Sequence, residues 1–115
     1  MTLPASAQDT SGYLSAGALL TKCRSSSVDA QAYCFAYIAG VSDAIRAYQA
    51  WLGSQEVCLP DGVSQSELVT AFEEYMTSHP TQLDAQAASI AVLALQSRFG
   101  CEASVEDNTQ IDNLQ

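Results

Sequence analysis

Four cysteines carry the clearest chemistry in this chain: Cys23, Cys34, Cys58 and Cys101. Thiolates bind zinc, act as nucleophiles or pair as disulfides, and spacing separates these uses. No C-x-x-C occurs, and the single His79 is far in sequence from every cysteine, which disfavours a structural zinc site built from close ligand pairs. Free catalytic thiols are equally disfavoured, since one histidine would have to serve as base for four of them. An even cysteine count in 115 residues fits two disulfides, with three possible connectivities.

The remaining polar candidates do not assemble a catalytic centre. His79 closes a helical stretch, where its side chain suits the unpaired carbonyls of the last turn. Glu73 and Glu74 are consecutive and point about 100° apart on a helix, so they read as a solvated face rather than an acid–base pair. Asp43 and Arg46, three apart, read as a surface ion pair. With no glycine-rich phosphate loop and no metal triad, the chain reads as a binding protein without a cofactor, not an enzyme.

Four helices are expected to position these residues, in a compact all-α domain over 13–101. The first covers about 15–23 and breaks at Ser25-Ser26-Ser27. The second covers about 29–52 and stops at Gly53. The third starts at Ser64, whose partner Glu67 completes a capping-box signature, and ends before Pro80. The fourth covers about 84–99, with Asp84 as N-cap and Gly100 at its stop. In the second helix Cys34, Ile38, Val41, Ile45, Tyr48 and Leu52 form one stripe; Tyr33, Tyr37, Gly40, Ala44, Ala47 and Trp51 form another. Two stripes predict a central helix with neighbours on two sides and a close crossing at Gly40. In the third, Leu68, Val69, Phe72, Tyr75 and Met76 face inward and Glu67, Glu73 and Glu74 outward. In the fourth, Ala88, Ala91, Val92, Leu95 and Phe99 face inward. Ile90 and Leu93 fall on the far side, expected to meet a second copy in a homodimer.

Charge narrows the partners. Thirteen acidic residues against four basic give a net charge of −9, which opposes nucleic acid and anionic membranes and suits a basic protein partner. The apolar stretch from Val28 to Leu52 is interrupted by Asp29, Asp43 and Arg46, so no membrane insertion is expected. At the start, Leu3-Pro4-Ala5-Ser6-Ala7-Gln8-Asp9 has the small-x-small pattern of a signal-peptidase site cleaved after Ala7. Residues 1–12 are therefore expected to hold a signal-peptide remnant and a disordered lead, in an exported protein of the bacterial periplasm. Residues 102–115, with four acidic residues and no basic one, read as a disordered acidic tail.

The segment Cys34-Phe35-Ala36-Tyr37-Ile38-Ala39-Gly40-Val41-Ser42-Asp43-Ala44 resembles the central-helix signature of the Tai family (the Rap1a/Tai-type domain), immunity proteins of type VI secretion amidase effectors. Ala36 stands where that family usually has glycine. Cys58-Leu59-Pro60-Asp61-Gly62-Val63, His79-Pro80 and Phe99-Gly100-Cys101 agree with it, so the resemblance covers about 15–101. It implies a periplasmic helical protein that binds a peptidoglycan amidase and blocks its active-site cleft. The runner-up readings are a small periplasmic stress chaperone of the HdeA type and an orphan envelope domain that binds another protein.

Hairpin geometry then selects a disulfide pairing, Cys23 with Cys34 and Cys58 with Cys101. The first pair flanks the short turn between helices one and two, and the second brackets the antiparallel hairpin of helices three and four. The partner contact is expected in the loop Thr77-Ser78-His79-Pro80-Thr81-Gln82, with Glu67, Glu73 and Glu74 beside it to steer a basic effector.

Overall fold

The computed structural model describes residues 12–101. The expected signal-peptidase site and acidic tail lie outside the described residues. Within them the chain is all-α: α1 (Ala16–Cys23), α2 (Val28–Leu52), α3 (Gln65–Ser78), a 3₁₀ turn (Pro80–Gln82) and α4 (Ala87–Phe99).

Local chemistry explains most helix ends. Ser15, Ser27 and Ser64 are N-caps whose side chains accept hydrogen bonds from the amides of Ala18, Ala30 and Glu67. At Ser64 the box is complete, because the Glu67 carboxylate accepts from the Ser64 amide at 2.9 Å. Ser64→Ala is expected to cost about 1 kcal/mol in a urea melt. A loss of no more than a few tenths would mean that the box adds nothing to α3. Gly53 ends α2 at φ 68°, a left-handed conformation that most side chains resist.

The start of α4 differs from expectation. It begins at Ala87, not Asp84, and its N-cap Gln86 makes no side-chain cap to the backbone. The intervening segment straps α1 instead. The Ala16 and Gly17 amides donate to the Ala85 and Leu83 carbonyls, both at 2.8 Å, and the Ala87 amide donates to the Leu14 carbonyl at 2.9 Å. Those tertiary hydrogen bonds outweigh the local capping preference of Asp84.

All four helices meet in one core, where Leu19, Cys34, Ile38, Phe72, Ile90 and Leu95 are fully buried. Ile90 is therefore not an interface residue. α4 is turned so that Ala87, Ile90, Ala91, Ala94 and Leu95 face inward, while Ala88, Val92 and Phe99 are half-buried. Leu93 is also half-buried against the core, and the far side of α4 leaves no apolar stripe for a second copy.

A second correction concerns α2. Its first stripe descends into the core at Cys34 and Ile38, but most of the other stripe faces solvent, with Tyr33 44% and Trp51 77% exposed, and only Tyr37 of that stripe is half-buried against the core. A side chain at Gly40 would meet nothing within 4 Å, so no helix crosses there. Length is the reason. At about 1.5 Å per residue, 25 residues outrun the 14 of α3 and the 13 of α4, and the last turns of α2 overhang the bundle. Tyr48 and Leu52 are exposed there as well. Asp43 and Arg46 form no ion pair; among the described residues the salt bridge is Arg98–Glu74, at 3.0 Å.

Both disulfides join the cysteines that the hairpins bring together. Cys23 pairs with Cys34 and Cys58 with Cys101, each with Cα atoms 5.0 Å apart. The second bridge sits in a braced corner. The Gln49 side chain accepts from the Glu56 and Val57 amides and donates to the Val57 carbonyl, and the Cys58 amide donates to the Phe99 carbonyl at 2.7 Å. Gly100 fits this corner because a Cβ would lie 2.7 Å from the Gln96 carbonyl oxygen.

Candidate partner-binding site

The corner where α3 hands over to α4 gathers most of the expected contact residues. The loop between them is a tight, hydrogen-bonded connection rather than a free arm. The Gln82 amide donates to the His79 carbonyl at 3.1 Å, and the Ala85 amide donates to the Gln82 carbonyl at 3.2 Å. Ser78, Pro80 and Thr81 are exposed, His79 and Gln82 half-buried. The Gln82 side-chain carbonyl oxygen is buried without a hydrogen-bond partner. Its inward aim makes it a poorer contact residue than its exposed neighbours.

His79 is fixed by two contacts. Its Nδ1 lies 2.9 Å from the Tyr75 carbonyl oxygen, so Nδ1 carries the proton and donates, capping the last turn of α3. Its ring stacks on Tyr75 with centroids 3.9 Å apart. Burial pushes the Tyr75 phenol above its ordinary value, so it stays protonated at neutral pH. A histidine committed to a backbone carbonyl through one nitrogen is held as a rigid surface feature, with no nucleophile supplied to it by a cysteine: all four are in disulfides.

Beside this pair a cavity of about 230 Å³ opens between α3 and α4, lined by Glu74, Tyr75, Ser78, His79, Ser97 and Arg98 among others. The Glu74–Arg98 bridge forms its rim. On the outer side of α3 a shallow depression is lined by Thr70, Glu73, Glu74, Thr77 and Ser78. Glu73 and Glu74 thus adjoin the loop, as expected. Glu67 does not, because it sits about 18 Å away along the helix axis and its carboxylate is engaged at the Ser64 cap. Among the described residues no group of three or more His, Cys, Asp or Glu side chains could hold a metal ion, and no helix is long and apolar enough to cross a membrane.

Sequence reasoning missed the outward face of α2, which was assigned to the core. Both stripes of α2 have the same alternating four- and three-residue spacing, so periodicity alone carried no signal to tell the solvent face from the core face.

One family model matches the chain over residues 15–101, and its description is Rap1a immunity proteins. No curated protein and no solved structure matches.

Proposed function

The chain belongs to the Rap1a immunity proteins, and from that premise we propose that it works in the periplasm, binding a type VI secretion peptidoglycan amidase and occluding its active-site cleft without turnover. The family match over the whole helical unit carries this reading. Its mechanism is steric and electrostatic. The tip of exposed Ser78, Pro80 and Thr81 around half-buried His79 enters the cleft on a backbone held by α3 and α4, so little ordering entropy is lost on binding. Glu73 and the rim of the cavity beside His79 meet basic residues of the effector, and the net charge of −9 speeds their encounter.

The test has two parts. Cells that receive a periplasmic amidase effector survive when this chain is exported with it and die without it, and the two proteins co-purify. Protection against no such effector would overturn the reading. For the surface, replacing Ser78, His79, Pro80 and Thr81 together with alanine is expected to weaken effector binding at least tenfold in calorimetry, the scale of interface hot spots. Glu67→Gln, which preserves the capping box, should leave affinity unchanged. Equal affinity for the loop variant, with its helicity intact, would remove the loop from the interface.

A further inference from the structure

We propose that the cavity beside His79 seats one lysine or arginine side chain of the partner protein, and that His79 Nε2 is the acceptor that selects it. This rests on the immunity reading and names the chemistry of its contact. The tautomer of His79 decides what the tip offers. A carbonyl oxygen can only accept, so the 2.9 Å contact with Tyr75 commits the Nδ1 proton. In the neutral ring Nε2 is then an acceptor. Among the described residues nothing hydrogen-bonds to it, and Gln82 Oε1, not Nε2, is the side-chain atom buried without a partner. Nε2 therefore reaches solvent, on a ring that the Tyr75 stack, with centroids 3.9 Å apart, keeps from turning.

The cavity supplies the rest of the seat. Its volume of about 230 Å³ falls below the roughly 300–1,000 Å³ of small-molecule sites and suits one long side chain. Ala71 and Ala94 line it with methyl groups, against which an aliphatic stem can lie. Glu74 and Ser97 add oxygen acceptors to its wall. Arg98 is the cation already present, and it holds Glu74 Oε1 at 3.0 Å. Among the described residues no hydrogen bond reaches the other oxygen of that carboxylate, which is left to a second cation. An ammonium or guanidinium carries only donors, so a wall of acceptors matches it. A carboxylate in the same place would meet the Glu74 charge and the Nε2 lone pair, and both repel it.

The test separates the acceptor from the helix cap. Asparagine places an amide donor where Nδ1 lies, and glutamine places an acceptor near Nε2. His79→Asn thus keeps the contact with the Tyr75 carbonyl and loses the acceptor, and His79→Gln does the reverse. Both are titrated in a calorimeter against a periplasmic amidase effector that the wild-type chain binds. His79→Asn is expected to weaken binding at least about tenfold and to melt as the wild type does. His79→Gln is expected to melt lower and to bind within about threefold of the wild type. If His79 served only the fold, that order would be reversed, and the reversal would overturn the proposal. Ser97→Phe fills the cavity from an exposed position on α4 and should also cost about tenfold or more. Wild-type affinity in that variant would remove the cavity as the seat. Glu74→Gln takes away the charge that faces the cation and should weaken binding; unchanged or tighter binding would show that no cation sits there. A wild-type chain that binds no such effector would overturn the immunity reading and this proposal together, whereas the other adverse results overturn this one alone.

Discussion

Removing the Cys58–Cys101 bridge by alanine at both positions is expected to destabilise the domain by about 4 kcal/mol. The two cysteines are 43 residues apart, and the loop they close contains α3, the 3₁₀ turn and α4. Chain-entropy reasoning makes a long closed loop worth more than a short one, because it restricts the unfolded ensemble more. The Cys23–Cys34 bridge spans 11 residues and is worth about 3 kcal/mol on the same reasoning. Its loss is further softened in the folded state. α1 stays tied at its other end by the Ala16 and Gly17 hydrogen bonds and by buried Leu19. A domain of this size has a total stability of about 5–15 kcal/mol, so losing about 4 moves the melting temperature by roughly 16–32 °C. Urea melts of the two double variants, side by side, decide the matter. A loss below about 1 kcal/mol for the Cys58 and Cys101 pair would show that the α3–α4 hairpin closes without its staple, through the Gln49 and Phe99 hydrogen bonds alone.

What the sequence reveals here tracks how local the cause is. Helix ends set by a cap and its own first turn, such as Ser64 with Glu67 or Gly53 after Leu52, are legible because cap and helix lie within a few residues. The same holds for His79 as the cap of α3. The start of α4 is not local. Asp84 has the side chain of an N-cap, but residues 83–87 hydrogen-bond to the chain ahead of and within α1, about seventy residues earlier, and the helix begins where that strap ends. Orientation fails for a related reason. Periodicity says that Ile90 and Ala91 lie on different sides of α4, but a short helix enclosed by longer ones buries both. Of the expected contact residues, those beside the loop adjoin it because α3 carries them there; Glu67 shares their helix and sign but is consumed by its cap.

Aromatic residues give the sharpest separation between pattern and packing, and a single pair of variants measures it. Phe72 on α3 is fully buried and the largest side chain in the core. Phe72→Ala removes its burial and leaves a cavity among Leu19, Ile38 and their neighbours, which the disulfide-pinned helices cannot collapse to fill. A cost of about 3–5 kcal/mol is expected, the largest of any single substitution considered. Trp51 is the larger residue and shares a helical stripe that periodicity assigns to the core, yet it is 77% exposed on the overhanging end of α2. Trp51→Ala should cost less than about 0.5 kcal/mol. Burial, not side-chain size or amphipathic pattern, sets the difference, because the apolar surface of Trp51 is left in water by folding of one copy. Chemical denaturation of the two variants at low concentration checks both numbers. If Trp51→Ala were as damaging as Phe72→Ala, the end of α2 would be packed on two sides instead of facing solvent.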